Sequence, residues 1–174
     1  MTWPVTVEIR EAAPHEHAEA GRVTAEAYRE FVGPEEASWE DYLAEIADVP
    51  ARAGRTRVMV ALEDGRIVGT ATLELDGRVD EDGDRPLSPG EAHIRMLGVH
   101  PDARGRGIAR ALMTTCEETA RTAGKTRMTL HTTERMQGAQ RMYESLGYER
   151  TQDRVFPDGF VLLSYRKDLA PAPA

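Results

Sequence analysis

The residues whose types and spacing point most directly to chemistry lie in Leu97-Gly98-Val99-His100-Pro101-Asp102-Ala103-Arg104-Gly105-Arg106-Gly107-Ile108-Ala109. A β-rich run leads into a turn in which Gly105 and Gly107 flank Arg106, and a helical pattern starts at once. Glycine lets backbone amides turn toward a ligand with no Cβ in the way. The first N–H groups of a helix have no intrahelical partner and sit at the positive end of its dipole, so they bind anions. Arg104 and Arg106 would add charge-assisted donors for phosphate oxygens. The pattern reads as a pyrophosphate cradle. It is not a P-loop, because Gly107 is followed by Ile108-Ala109 rather than Lys-Ser/Thr. Nor is it the dinucleotide fingerprint, since Arg110 stands where the third glycine belongs.

Other reactive side chains are sparser. Cys116, the lone cysteine, falls on the apolar stripe Ile108, Ala111, Leu112, Cys116 and reads as a buried structural thiol. His15 and His17 are spaced i, i+2 in a predicted helix, which points their rings apart. No His/Cys spacing suits zinc, so no metal is expected. Strand alternation puts Glu91, His93, Arg95 and Leu97 on one side of their run.

The elements that must position these residues follow from periodicity. Val5–Ile9 alternates as a strand, and Pro14 opens a helix carrying Val23, Ala27 and Phe31. Trp39, Tyr42, Leu43 and Ile46 form one apolar stripe of a second helix, which the Pro50–Gly54 stretch should end. Arg57–Leu62 and Ile67–Leu75 read as a hairpin around Asp64-Gly65. Residues 76–90 read as an exposed acidic loop, and Ala92–Val99 as the strand before the cradle. The next helix should run to Ala123, stopped by Gly124. A strand over Thr126–His131, a helix over Gln137–Leu146 and a hairpin of Tyr148–Phe156 with Phe160–Arg166 complete the order. Residues 1–169 are expected to be one domain, and the Ala/Pro tail 170–174 disordered. The fold class is α/β (α+β), with a mixed sheet and helices on both faces.

Arg104-Gly105-Arg106-Gly107-Ile108-Ala109 matches the Q/R-x-x-G-x-G/A motif of the GNAT superfamily of acetyl-CoA-dependent N-acetyltransferases. Ala139-Gln140-Arg141-Met142-Tyr143-Glu144-Ser145-Leu146-Gly147-Tyr148 is similar to its A-x-x-x-Y-x-x-x-G-F/Y helix. The element order agrees over Val5–Leu169, and the two motifs together are highly specific. The resemblance implies a mostly antiparallel sheet and acetyl-CoA as co-substrate. It places the pantetheine arm beside Leu97, Gly98 and Val99, and the pyrophosphate on the amides from Arg104 through Gly105, Arg106, Gly107 and Ile108 to Ala109. The family often has Asn where this chain has Met136; a contact made there is lost, or Gln137 replaces it.

The resemblance also implies direct transfer of an acetyl group to a primary amine in a ternary complex. Tyr143 matches the family's general-acid tyrosine; it also sits on the core stripe of its helix. An alkylammonium has a pKa of about 10.4, so the amine needs a proton acceptor. His93 stands eleven residues before Arg104, where some relatives carry a catalytic glutamate. The order of candidate bases is His93, Glu91, then water, with Glu74 as a further fallback.

Composition bounds the partners. The 174 residues are 40% hydrophobic and 30% charged, which supplies a core and excludes a disordered chain. The net charge of −8 opposes nucleic-acid binding and favours a cationic acceptor, such as an aminoglycoside, a polyamine or a peptide amine. With no signal-peptide pattern and no membrane-length apolar run, a cytoplasmic location is expected. Pairing of two copies through a sheet edge or the last hairpin is left open by the resemblance. The competing reading is a catalytically silent acyl-CoA-binding sensor or interaction domain.

Overall fold

The computed structural model describes residues 6–31, 38–79 and 85–171. In chain order its elements begin with β1 (Glu8–Glu11), α1 (His17–Arg29), α2 (Ser38–Ala47), α3 (Val49–Ala53), β2 (Arg57–Glu63) and β3 (Arg66–Glu74). Two short strands follow, β4 (Arg78–Val79) and β5 (Arg85–Pro86), then β6 (Glu91–Val99), α4 (Ile108–Thr122) and β7 (Arg127–Thr133). The chain ends with α5 (Gln137–Ser145), β8 (Glu149–Arg150), β9 (Arg154–Val155) and β10 (Val161–Asp168). The strands make a mixed, mostly antiparallel sheet accompanied by helices, the fold class expected. By packing the chain divides into two compact units, Met1–Leu73 with Met96–Cys116, and Glu74–Arg95 with Glu117–Ala174.

In the first unit β1, β2 and β3 run antiparallel, and the hairpin turn places Asp64 and Gly65 at φ 50° and 76°, as the Asp-Gly pair demands. Ala20 and Val23 of α1 and Val49 of α3 pack on Val58, Val60 and Leu62 of β2 and Ile67 of β3. Burying each such valine or leucine contributes about 1.5–3 kcal/mol. Gly69 of β3 meets α4 instead: a Cβ there would lie 3.1 Å from both Ile108 Cγ2 and Leu112 Cδ1. The missing side chain lets the first turns of α4 approach the strand this closely. Cys116 is fully buried, as its place on the apolar stripe predicted.

In the second unit β6 pairs with β7 in parallel, from Glu91 opposite Arg127 to Ile94 opposite Leu130. A parallel pair needs a long crossover, which α4 supplies in sequence. β10 lies antiparallel to β7 and also pairs with β8 and β9. Met128 and Leu130 are buried on alternate positions of β7, and Tyr143, Tyr148, Leu163 and Tyr165 extend this core.

Several boundaries differ from the sequence reading. Val49–Ala53 is a short helix rather than a stop, because Asp48 caps it by accepting the Ala51 N–H at 3.2 Å and Pro50 sits in its first turn, where no amide donor is required. Phe31 lies beyond α1, and β7 runs on to Thr133. The strand expected over Tyr148–Phe156 is broken into β8 and β9, whose registers against β10 differ by one residue: Arg150 faces Tyr165, whereas Arg154 faces Leu162. The expected acidic loop carries the β4–β5 pair; Asp80, Glu81, Asp82 and Asp84 fall outside the described residues, as does the tail 172–174.

Candidate active site

In the first unit the cradle begins with a 3-10 turn at Pro101–Ala103, capped by His100, whose Nδ1 accepts the Asp102 N–H at 3.2 Å. With Nδ1 accepting, Nε2 carries the proton and donates to Glu26 of α1 at 2.7 Å, which holds that carboxyl below its ordinary value. Gly105 and Gly107 follow at φ 77° and 79°, a conformation that suits glycine far better than other residues. Among the described residues, the N–H groups of Gly105, Arg106, Gly107, Ile108 and Ala109 are bonded to no turn or loop carbonyl. The space beside Gly105 and Gly107 is open for 4 Å around the point where a Cβ would stand. An anion can therefore reach these amides.

The two arginines are placed differently from the sequence expectation. Arg104 donates to Val99 O at 3.2 Å and Ala27 O at 3.0 Å and pairs with Glu30. Arg106 pairs with Glu63. Both guanidinium groups are engaged by carboxylates or carbonyls of their own unit. Leu97, Gly98 and Val99 end β6 as expected, but Met96 has φ 54°, so the strict alternation read from Glu91 through Leu97 stops at Arg95.

The second unit brings Glu91 and His93 together through a residue the sequence reading did not single out. Thr129 lies opposite His93 in the β6–β7 register. Its hydroxyl donates to Glu91 Oε2 at 2.6 Å and lies 2.8 Å from His93 Nδ1. Arg85 grips Glu91 with two bonds of 2.9 and 2.8 Å, and the Ser88 N–H adds a third at 3.0 Å. Burial alone would raise the Glu91 carboxyl, but the bonds from Arg85, Thr129 and Ser88 outweigh it and hold the group at about 2. This carboxylate is ionised and its oxygens are engaged, which argues against Glu91 itself taking a substrate proton. Glu74, the further fallback, pairs with Arg95 at 3.3 Å in a buried ion pair. His93 is fully buried, with its ring 5.2 Å from that of His131, whose Nδ1 lies 3.0 Å from Ser164 Oγ.

Tyr143 of α5 is buried, its ring 6.0 Å from Tyr148 and 5.9 Å from Tyr165. Met136 occupies the N-cap of α5 without a side-chain cap bond, and its sulfur accepts the Thr132 hydroxyl at 3.5 Å. Gln140 clips the preceding loop, donating to Thr133 O at 3.0 Å. An open depression of about 450 Å³ beside α5, lined by Glu134, Gln137, Gln140, Arg141 and Glu144 together with Arg150, Asp153 and Leu163, contains neither His93 nor Tyr143. Among the described residues no group of three or more His, Cys, Asp or Glu could hold a metal ion, and no helix is long and apolar enough to cross a membrane.

Known proteins are similar to this chain in sequence and in fold. The chain is 35% identical over 107 residues to a glucosamine 6-phosphate N-acetyltransferase of Trypanosoma brucei brucei, covering 61% of this chain and 67% of that protein. It is 36% identical over 97 residues to an acetyltransferase of Yersinia pestis, 56% of this chain but only 60% of that relative. The Salmonella typhimurium protein yncA, solved with its cofactor acetyl-CoA, has the same fold: TM-score 0.66, 21% identity, with 97% of this chain and 96% of that one covered. Residues 21–148, which hold both sequence motifs, the cradle and the Glu91–Thr129–His93 group, match the model of the acetyltransferase (GNAT) family, and the chain belongs to that family.

Proposed function

We propose that this protein is an N-acetyltransferase, moving an acetyl group from acetyl-CoA to a primary amine by direct transfer in a ternary complex, with residues 1–169 working as one functional domain. The observation that carries the reading is the set of accessible amides over Gly105–Ala109 at the start of α4. They suit a pyrophosphate, and the acetyl-CoA found in the Salmonella protein supports the same co-substrate here. The co-substrate supplies an acyl group activated as a thioester. In this reading the amides from Arg104 to Ala109 bind the pyrophosphate, and the backbone of Leu97, Gly98 and Val99 orients the pantetheine arm.

The chain's own groups handle the protons. An alkylammonium is mostly protonated at neutral pH and becomes nucleophilic only as it loses a proton. The ammonium gives its first proton to water to become the free amine, and His93 accepts the second as the new C–N bond forms, leaving a neutral amide nitrogen. The C–S bond breaks, and Tyr143 donates its phenolic proton to the departing sulfur. The imidazolium returns a proton to the Tyr143 phenolate after the thiol departs. The acceptor is a primary amine, and the acidic balance of the chain favours a cationic one.

The test is acetyl-CoA-dependent thiol release across a panel of amines, with Tyr143→Phe beside the wild type. Turnover on one amine class, lowered by roughly 100-fold or more in the variant, is the expected result. Full activity in the variant would cancel the role of Tyr143. Saturable acetyl-CoA binding with no release on any amine would instead favour the sensor reading.

A further inference from the structure

We propose that Glu63 is the internal counter-ion of Arg106, which the pyrophosphate of the co-substrate has to displace, so that Glu63 limits how tightly the cradle holds acetyl-CoA and CoA. This rests on the reading of Gly105–Ala109 as the pyrophosphate site and adds a residue that sets its affinity.

The two arginines of the turn are held in different ways. Arg104 donates through Nε and Nη2 to the carbonyls of Val99 and Ala27, at 3.2 and 3.0 Å, and through Nη1 to Glu30. Two well-made backbone bonds fix its direction, and it acts as a strut between the turn and the end of α1. Arg106 is anchored less firmly. Its bonds to Ala103 O and Asp102 O are both 3.4 Å, beyond the ordinary range for N–H donors, and its firm partner is the Glu63 carboxylate. Glu63 is the last residue of β2, held by the strand register opposite Arg66 across the Asp64-Gly65 turn. Its side chain is 13% exposed, against 42% for that of Arg106. The hairpin therefore fixes the carboxylate, and the guanidinium is the partner that can move.

Arg106 stands between Gly105 and Gly107, so an anion on the cradle amides lies within one short turn of its guanidinium. A guanidinium pairs strongly with phosphate through parallel N–H bonds. An ion pair with one member this open to water holds only weakly. A pyrophosphate can thus take Arg106 over, and doing so leaves a mostly covered carboxylate unpaired beside an anion, which is unfavourable. That cost falls equally on acetyl-CoA and CoA, because both carry the same pyrophosphate. Glu63 loosens both, which favours release of the spent CoA.

The experiment measures the Kd of CoA and of acetyl-CoA by titration calorimetry on the full chain, with no amine present. The salt is 0.15 M, where the screening length is about 8 Å and distant charges count little. Glu63→Gln is expected to tighten both ligands roughly 3–5-fold, and Glu63→Ala, which also removes the amide, should do the same. Arg106→Gln should weaken both ligands by a similar factor. In that background Glu63→Gln should change Kd by less than about 2-fold, since the partner it releases is gone. Unchanged or weaker binding in both Glu63 variants would overturn the proposal, because Glu63 would then hold Arg106 ready for the phosphate. Equal tightening with and without Arg106 would also overturn it, since Glu63 would act by repulsion alone. A wild type that binds neither ligand refutes the cradle reading itself, whereas wild-type binding that Glu63 leaves unmoved refutes the counter-ion alone.

Discussion

Four hydrogen bonds reach the Glu91 carboxylate, two from Arg85 and one each from the Ser88 N–H and the Thr129 hydroxyl. All four favour the ionised form, so protonating Glu91 costs the fold what those bonds contribute. A fall from 4.5 to about 2 corresponds to about 3 kcal/mol of stability, fully present above pH 4.5 and lost as the pH drops toward 2. Glu16, also held at about 2 by bonds from Arg10 and the Ala13 N–H, titrates in the same window. Glu91→Gln is therefore expected to lower stability at pH 7 and to flatten, without abolishing, the acid limb between pH 4.5 and 2 in urea unfolding. An unchanged acid limb would show that Glu91 is not a linked group. The Arg95–Glu74 pair gives a second prediction at this scale. Its side chains are 6% and 1% exposed, so Glu74→Leu leaves the Arg95 charge buried without that carboxylate, at a cost of about 3–5 kcal/mol. Glu74→Leu combined with Arg95→Met should cost much less than the sum of the single changes, and strict additivity would deny the coupling.

Met136 at the head of α5 shows how a single residue matters through its element. Its side chain makes no cap bond, and the first-turn amides of α5 have no intrahelical partner. Met136→Asn is expected to add about 1 kcal/mol and, for a chain of this length, to raise Tm by roughly 2–4 °C. An unchanged Tm would mean that the lost Thr132 contact to the sulfur offsets the new cap. Elements with strong local signals were legible in the sequence. The Asp64-Gly65 hairpin, the helix stopped by Gly124 and the stripe of α5 all stand where periodicity and turn chemistry put them. α3 was hidden because Pro50 reads as a breaker unless its place in a first turn is seen. The site was legible as residue types and only partly as partnerships. The cradle glycines and the Glu91–His93 alternation carry local signals. Thr129 does not, because it meets His93 through a parallel register set by a crossover, and nothing in the local pattern of β7 records which residue of β6 it faces. The same holds for Glu30 and Glu63, which reach Arg104 and Arg106 from distant parts of the chain.

For the whole molecule the proposed reaction asks a chain with net charge −8 to take an anionic co-substrate and, in the reading proposed above, a cationic acceptor. Its long-range field repels a pyrophosphate and attracts an ammonium, so co-substrate binding must depend on short-range groups. The cradle fits that requirement, because helix-start amides act over a turn's length and are little affected by distant charge. A cationic acceptor, as proposed, would instead gain from the field itself. Salt separates the two contributions: the screening length falls from about 30 Å at 0.01 M to about 10 Å at 0.1 M. Raising ionic strength across that range is expected to increase the apparent KM for a cationic amine several-fold. The KM for acetyl-CoA should stay level or fall, since the field opposing it is screened as well. Neutralising Asp76 and the acids of residues 80–84 should mimic the salt effect on the amine alone. If amine kinetics at low salt are indifferent to both changes, the acidic balance serves solubility, and the acceptor is selected by contacts within the site.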